Sequence, residues 1–176
     1  MNNKTIFGIS GSLRKNSSNH TILEYFRSRI PGDINYIVYD ELSTIPAFDP
    51  GLDDDNPPAA VVDLRNQLTE ADAIIICTPE YAFGVPGSLK NALDWTVSSG
   101  SFSGKPTALI TASTGGEHAH EAMIKILGAI DAKLTLETTL LIPFIRTKID
   151  GEGNISDQNT ADKLKAVSSA LMNEIS

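Results

Sequence analysis

Ser10 to Asn19 reads SGSLRKNSSN. The stretch gathers the hydroxyls of Ser10, Ser12, Ser17 and Ser18, the amide of Asn19 and the guanidinium of Arg14 just ahead of an apolar-periodic segment. That inventory suits a phosphate group. A helix N-terminus draws an anion through its free N–H groups and its dipole, hydroxyls satisfy the oxygens, and an arginine can close over them in a bidentate contact. The same residues also make a well-capped, solvated turn, and this loop alone does not separate the two. Better-known anion loops fail on detail. The Gly-Lys-Ser/Thr ending of a nucleotide P-loop is missing. Gly8 and Gly11 do not space as Gly-x-Gly-x-x-Gly. GISGS carries Ser12 where a hydrolase nucleophile elbow ends in glycine. Cys77 has Phe83 and Val85, not arginine, a few residues downstream, so it reads as a core residue at a strand end.

A second chemically loaded stretch is TPEYAFGVPGSLKNALDW, Thr78 to Trp95. A strongly apolar strand, ADAIIIC, runs straight into a carboxylate, two aromatics and two prolines before any helix begins. Pro79 and Pro86 stiffen the backbone, leaving Tyr81 and Phe83 as exposed aromatics beside peptide N–H groups. Such a pairing holds a flat heterocycle, the rings by stacking and the peptide groups by addressing ring nitrogens and carbonyls. The aromatics would equally fill a gap against a neighbouring subunit. Glu80 has three readings: a ligand contact, an ionic partner, or an anion at the start of the helix that follows. TASTGGE supplies a third hydroxyl- and glycine-rich turn, Ser113 to Gly116. EHAHE beyond it invites a metal reading. However, His118 and His120 point to nearly opposite sides of a helix, and Glu117 and Glu121 share a face without a third ligand. An acid-rich helix N-terminus explains the run better. His118 is near enough to the third turn to reach a ligand rim, and His20 has no chemical role in this reading.

The elements that carry these loops alternate. Lys4–Ser10 reads as a buried strand, followed by a helix with Ile22, Leu23, Phe26 and Ile30 on its apolar face. Ile34–Asp40 suits a strand nearer a sheet edge, and the acidic stretch after it ends in prolines fit to open a helix bearing Val61, Val62, Leu64 and Leu68. Ala71–Cys77, the most continuous apolar run, belongs at the centre of a parallel sheet covered on both faces. Leu89, Ala92 and Leu93 mark the next helix; Lys105–Ser113 is a strand, and a glycine-led helix succeeds it. KLTLETTLLI is a further strand, and Thr160–Ile175 closes the chain as a helix. The pattern is an α/β sandwich on a mostly parallel sheet. Ligands bind such sheets beyond the carboxyl ends of the strands, so the three hydroxyl- and glycine-rich loops should meet at one edge.

The 176 residues suffice for one domain, 1–176, with a core that needs no disulfide or metal. A formal charge of −8 argues against nucleic acid or an anionic membrane as the main partner. One cysteine excludes a disulfide framework. No apolar run approaches membrane-spanning length and the N-terminus lacks a signal-peptide core, so a cytoplasmic location is expected.

GSLRKNSSN, ADAIIICTPEYAFGVPGSLKNALDW, GKP and TASTGGE together resemble the NADPH-dependent FMN reductase family, which includes FMN-containing quinone and chromate reductases. The resemblance runs in order through nearly the whole chain. It implies a flavodoxin-like three-layer fold with a five-stranded parallel sheet in the order 2-1-3-4-5, and FMN at the carboxyl edge. By position, Ser10, Ser12, Arg14, Ser17, Ser18 and Asn19 would surround the phosphate. Pro79, Glu80, Tyr81 and Phe83 would lie against the isoalloxazine, and Ser113, Thr114, Gly115 and Gly116 would border its other side. The implied activity is a ping-pong reduction of a quinone, a similar small acceptor or free flavin by NADPH or NADH, with no side chain in covalent or acid–base catalysis. The alternative is a flavodoxin-like electron carrier, or a flavin-binding interaction protein, that never uses NAD(P)H. The family further implies a homodimer or homotetramer with the Leu89–Trp95 helix near the contact, where Leu93 and Trp95 would be interface residues or core. Ala82 stands where many members carry Asn, Phe83 where Tyr is frequent, and EHAHE where relatives continue with glycine and arginine.

Overall fold

A computed structural model describes residues 4–176; the first three residues of the expected domain lie outside the described residues. Strands β1 (Thr5–Ser10), β2 (Asn35–Tyr39), β3 (Ala73–Thr78), β4 (Thr107–Ala112) and β5 (Thr139–Ile142) alternate with helices α1 (Ser18–Arg27), α2 (Ala59–Glu70), α3 (Gly87–Asp94), α4 (Glu117–Ala129) and α5 (Gln158–Glu174). The strands form one sheet in the order β2-β1-β3-β4-β5, every neighbouring pair parallel. This is the flavodoxin-like order, with the winding reversing beside β1.

Side-chain alternation along each strand builds two apolar layers. Ile74 and Ile76 of β3 join Leu64, Leu68, Leu89, Leu93 and Met123 on the face covered by α2, α3 and α4. Ile75 and Cys77 join Ile22, Leu23, Phe26, Leu164 and Leu171 on the face covered by α1 and α5. A strand buried on both sides is filled almost entirely by apolar side chains, which is why Ala73–Cys77 reads as a continuous apolar run; only Thr78 at its end is polar.

Local signals predict most element starts. The Ser17 hydroxyl accepts from His20 N–H at 3.2 Å and caps α1. Pro58 and Pro86 precede α2 and α3 at their first turns. Three expectations change, and one open alternative is decided. Helix α1 ends at Arg27, so Ile30 packs on the core from the turn beyond it. Val62 faces outward, 39% exposed, because Val61, Leu64 and Leu68 already fill the inward stripe of α2. The segment expected as one strand from Lys133 is split: Thr135 and Thr138 exchange side-chain-to-backbone hydrogen bonds in a turn, and β5 is only Thr139–Ile142. Trp95 and Leu93 are interior, at 0% and 2% exposure. The Trp95 indole N–H donates to the Pro46 carbonyl at 2.9 Å, its ring meets Phe48 edge-on, and its own carbonyl takes the Arg65 guanidinium. Core packing therefore accounts for both, and neither offers an interface surface.

Among the described residues no helix is long and apolar enough to cross a membrane, and no group of three or more His, Cys, Asp or Glu side chains is placed to hold a metal ion.

The tightest joint in the sheet lies where β1 leaves it. Gly11 N–H donates to the Cys77 carbonyl at 2.8 Å, and a Cβ at position 11 would stand 2.5 Å from Thr78 Oγ1. Gly11→Ala is expected to pry the end of β1 from β3 and to destabilise the protein by about 1–3 kcal/mol, the usual cost of overpacking. Urea unfolding measures this; a midpoint equal to wild type would show that the joint has slack.

Candidate functional site at the carboxyl edge of the sheet

Register brings the three hydroxyl- and glycine-rich loops together. Ser10 pairs with Cys77 and Thr78 with Thr111, so β1, β3 and β4 end side by side. Their loops enclose a cleft of about 120 Å³. The first loop lines it with Ser12, Arg14, Ser17, Ser18 and Asn19, the second with Pro79, Glu80 and Tyr81, and the third with Ser113 and Thr114. Ile145 and Arg146, from the turn beyond β5, complete the wall. A second hollow of about 240 Å³ opens from Ser12 and Arg14 toward Tyr39 and Leu42. A larger groove, about 890 Å³, runs between α1 and the 149–155 hairpin; it shares only Ser18 with the cleft and is flanked by Glu24, Asp150 and Glu152. Volume alone would favour that groove. The convergence of three strand ends and a helix N-terminus favours the smaller cleft.

Not every expected side chain is free to meet a ligand. The Ser10 hydroxyl donates to the Ser12 carbonyl at 3.0 Å and accepts from Ser12 N–H at 3.2 Å. Ser17 is engaged as the α1 cap. The Asn19 amide is used at both ends: its NH₂ donates to the Ala112 carbonyl at 3.4 Å, and its oxygen accepts from the Cys77 thiol at 3.2 Å. These three shape the loop. The Arg14 guanidinium and the Ser18 hydroxyl remain, with the first-turn amides of Ser18 and Asn19, which lack intrahelical acceptors; the Ser12 hydroxyl accepts from Arg14 N–H at 3.4 Å and keeps its own proton to donate. No acidic residue opposes an anion in the first turn of α1. Sequence reasoning missed Arg146. No motif marks it; its place just past a parallel strand was the only available signal.

The second loop stores backbone strain. Tyr81 and Gly84 exchange two hydrogen bonds of 3.0 Å around Ala82 and Phe83, at φ 49° and 59°. Two consecutive left-handed residues make a turn that ordinarily calls for Asn-Gly, and each non-glycine residue there costs on the order of 1 kcal/mol. The turn holds Tyr81 at 52% and Phe83 at 78% exposure. Tyr81 lines the cleft, whereas Phe83, like Gly115 and Gly116, is not among the lining residues; its ring meets His118 edge-on at 5.3 Å.

Glu80 resolves differently from its local reading. Its carboxylate accepts from Ala119 N–H at 2.9 Å, and its own N–H donates to Ser113 Oγ at 3.2 Å. It is the anion at the start of α4, two elements along, not of the helix that follows it. Gly115 and Gly116 sit behind the cleft. A Cβ on Gly116, whose φ is 118°, would lie 2.8 Å from Leu141 Cδ1, so this glycine lets α4 seat on β5.

The titratable groups nearby suit a site without acid–base work. Burial lowers the His120 pKa, opposed by Glu121, and Nδ1 of the ring pairs with Thr111 Oγ1 at 2.8 Å. Burial pushes the Cys77 thiol up, which keeps it protonated and able to donate to Asn19.

The sequence model described as NADPH-dependent FMN reductase matches residues 5–146. A quinone reductase of Escherichia coli K12 is 32% identical over 88% of this chain and 86% of its own length. An NAD(P)H-dependent FMN reductase of Pseudomonas aeruginosa is 30% identical over 94% and 92%. Among solved structures, FerB of Paracoccus denitrificans, a flavoenzyme NAD(P)H:(acceptor) oxidoreductase, superposes with a TM-score of 0.77 at 26% identity, covering 98% of this chain and 97% of its own. With that match over most of its length, and with three loops converging where the flavodoxin-like fold takes its ligand, this chain belongs to the NADPH-dependent FMN reductase family.

Proposed function

We propose that the chain works as one FMN-binding unit that uses NAD(P)H to reduce a quinone or similar small acceptor. The observation that carries this reading is the donor set of the cleft. In a protein of formal charge −8, Arg14 and Arg146 line one small cleft with several hydroxyls and a helix N-terminus, and neither guanidinium has a hydrogen-bond or ion-pair partner among the described residues. Unpaired cations beside unsatisfied N–H groups fit a phosphate. Beside them, Tyr81 presents aromatic surface suited to a flat ring system, and the strained 81–84 turn leaves the N–H groups of Ala82 and Phe83 without a partner among the described residues. The residues present therefore fit FMN.

Ser12, Arg14, Ser18 and the first turn of α1 would hold the phosphate, while Ser10, Ser17 and Asn19 keep that loop in shape. Pro79, Glu80 and Tyr81 would floor the ring, and Ser113 and Thr114 would border it. Phe83 and His118 would form the rim where a second substrate enters. Bound FMN would supply the two-electron chemistry, reduced by NAD(P)H and reoxidised by the acceptor in alternation. The protein's own part is positioning and exclusion of water: the left-handed turn and the pinned loops fix the geometry before any substrate arrives. No proton need be held by a side chain, in keeping with a half-buried His120 whose pKa burial lowers and with a buried Cys77 thiol.

NADPH or NADH added anaerobically to the FMN-loaded protein should bleach the oxidised-flavin absorbance, and a quinone should restore it. Flavin that binds yet stays oxidised with both nucleotides would mark an electron carrier instead. Arg14→Ala is expected to weaken FMN retention roughly tenfold, the loss of one charge-assisted contact, with turnover of the FMN-saturated variant within about twofold of wild type. Unchanged flavin content after desalting would remove Arg14 from the phosphate site. Phe83→Gly relieves a left-handed φ, so its thermal midpoint should not fall, while KM for the quinone rises severalfold. An unchanged KM would place the acceptor elsewhere.

A further inference from the structure

Arg146 stands apart from the loop that carries Arg14. It belongs to the short helical turn Ile145–Lys148, just beyond β5. That turn is pinned to the third loop of the cleft: Ile145 N–H donates to the Ser113 carbonyl and Phe144 N–H to the Thr114 carbonyl, each at 3.1 Å. Ile145 is buried at 3% exposure, and Phe144 takes a left-handed φ of 53°. The guanidinium is thus presented from a fixed backbone. Its neighbour Lys148 faces Asp157 at 3.6 Å, whereas Arg146 makes no hydrogen bond or ion pair with the described residues and lines the cleft.

Charge matching gives this arginine a task. A phosphate monoester carries about −1.5 to −2 at pH 7. Arg14 offers one positive charge and the α1 dipole roughly half of another. The side chains of Ser10, Ser17 and Asn19 are already engaged within the fold. Lys15, the other cation of the first loop, lines the two neighbouring hollows but not this cleft. Arg146 is the remaining guanidinium among the described residues of the wall.

We propose, resting on the FMN reading above, that Arg146 is a second phosphate-binding arginine, supplied by the β5 turn. Together with Arg14 it makes the site select FMN over riboflavin, which has the same ring and no phosphate. The phosphate is then held by two segments distant in sequence, and the turn after β5 becomes part of the cofactor site.

Fluorescence titration of the apoprotein with FMN and with riboflavin tests this in wild type, Arg146→Ala, Arg146→Lys and Lys15→Ala. Arg146→Ala should raise the Kd for FMN about tenfold and leave that for riboflavin within about twofold. Arg146→Lys should fall between, because a point charge replaces a planar fork. Lys15→Ala should stay near wild type. The thermal midpoint of apo Arg146→Ala should equal that of wild type, since no contact within the protein is removed. Equal losses for both flavins would assign Arg146 to the ring and overturn the proposal. Unchanged flavin affinities with a raised KM for NADPH would make it a dinucleotide contact, and also overturn it. Wild-type protein that binds neither flavin would defeat the FMN reading itself, and this inference with it.

Discussion

The arrangement depends on one buried polar clamp. Asn19, at the start of α1, accepts from the Cys77 thiol of β3 and donates to the terminal carbonyl of β4 at Ala112. An amide in the apolar layer beneath α1 is costly unless both ends are satisfied, and here both are. The clamp therefore tolerates one placement of the helix, with its N-terminus over the carboxyl ends of two strands. Gly11, with no room for a Cβ against Thr78, closes the same joint from β1. Once these contacts form, three loops share one edge and the N–H groups of α1 open into the cleft.

Electrostatics then divides the cleft by function. The molecule is acidic overall, yet the wall facing α1 carries two guanidiniums and no acid in the first helical turn. The nearest carboxylate, Glu80, is drawn off to the N-terminus of α4, where Ala119 N–H and the helix dipole hold it. That helix thereby keeps a negative charge from competing with an anion at α1. One macrodipole fixes the carboxylate, and the other remains open to a ligand.

Strain is concentrated in the turn that follows Tyr81, a residue of the cleft wall. Ala82 and Phe83 both occupy the left-handed region, although neither side chain favours it. The surrounding structure enforces the turn through the paired hydrogen bonds of Tyr81 and Gly84, the rigid Pro79 and Pro86, and the packing of α3. Local preference and global fold disagree here, in a loop that lines the cleft, and such disagreements gather at sites that bind or react.

What the sequence determined by itself is what neighbours along the chain decide. The apolar run of β3, the Ser17 cap, the proline-led starts of α2 and α3, and the β/α alternation rest on side-chain period and on groups within one helical turn. The resemblance of the three loops to a reductase family was equally legible, because it lies in contiguous motifs. Tertiary structure alone decided the partners. Glu80 meets an amide 39 residues away, and Cys77 an amide side chain 58 residues away. Trp95, exposed on no face, finds the Pro46 carbonyl across α3, and Arg146 reaches the cleft because β5 is short and its turn is tied to Ser113 and Thr114. Those pairings follow from sheet register and helix placement, which depend on every strand at once. Local pattern specifies which elements exist, and only the closed sheet specifies which side chains their ends bring together.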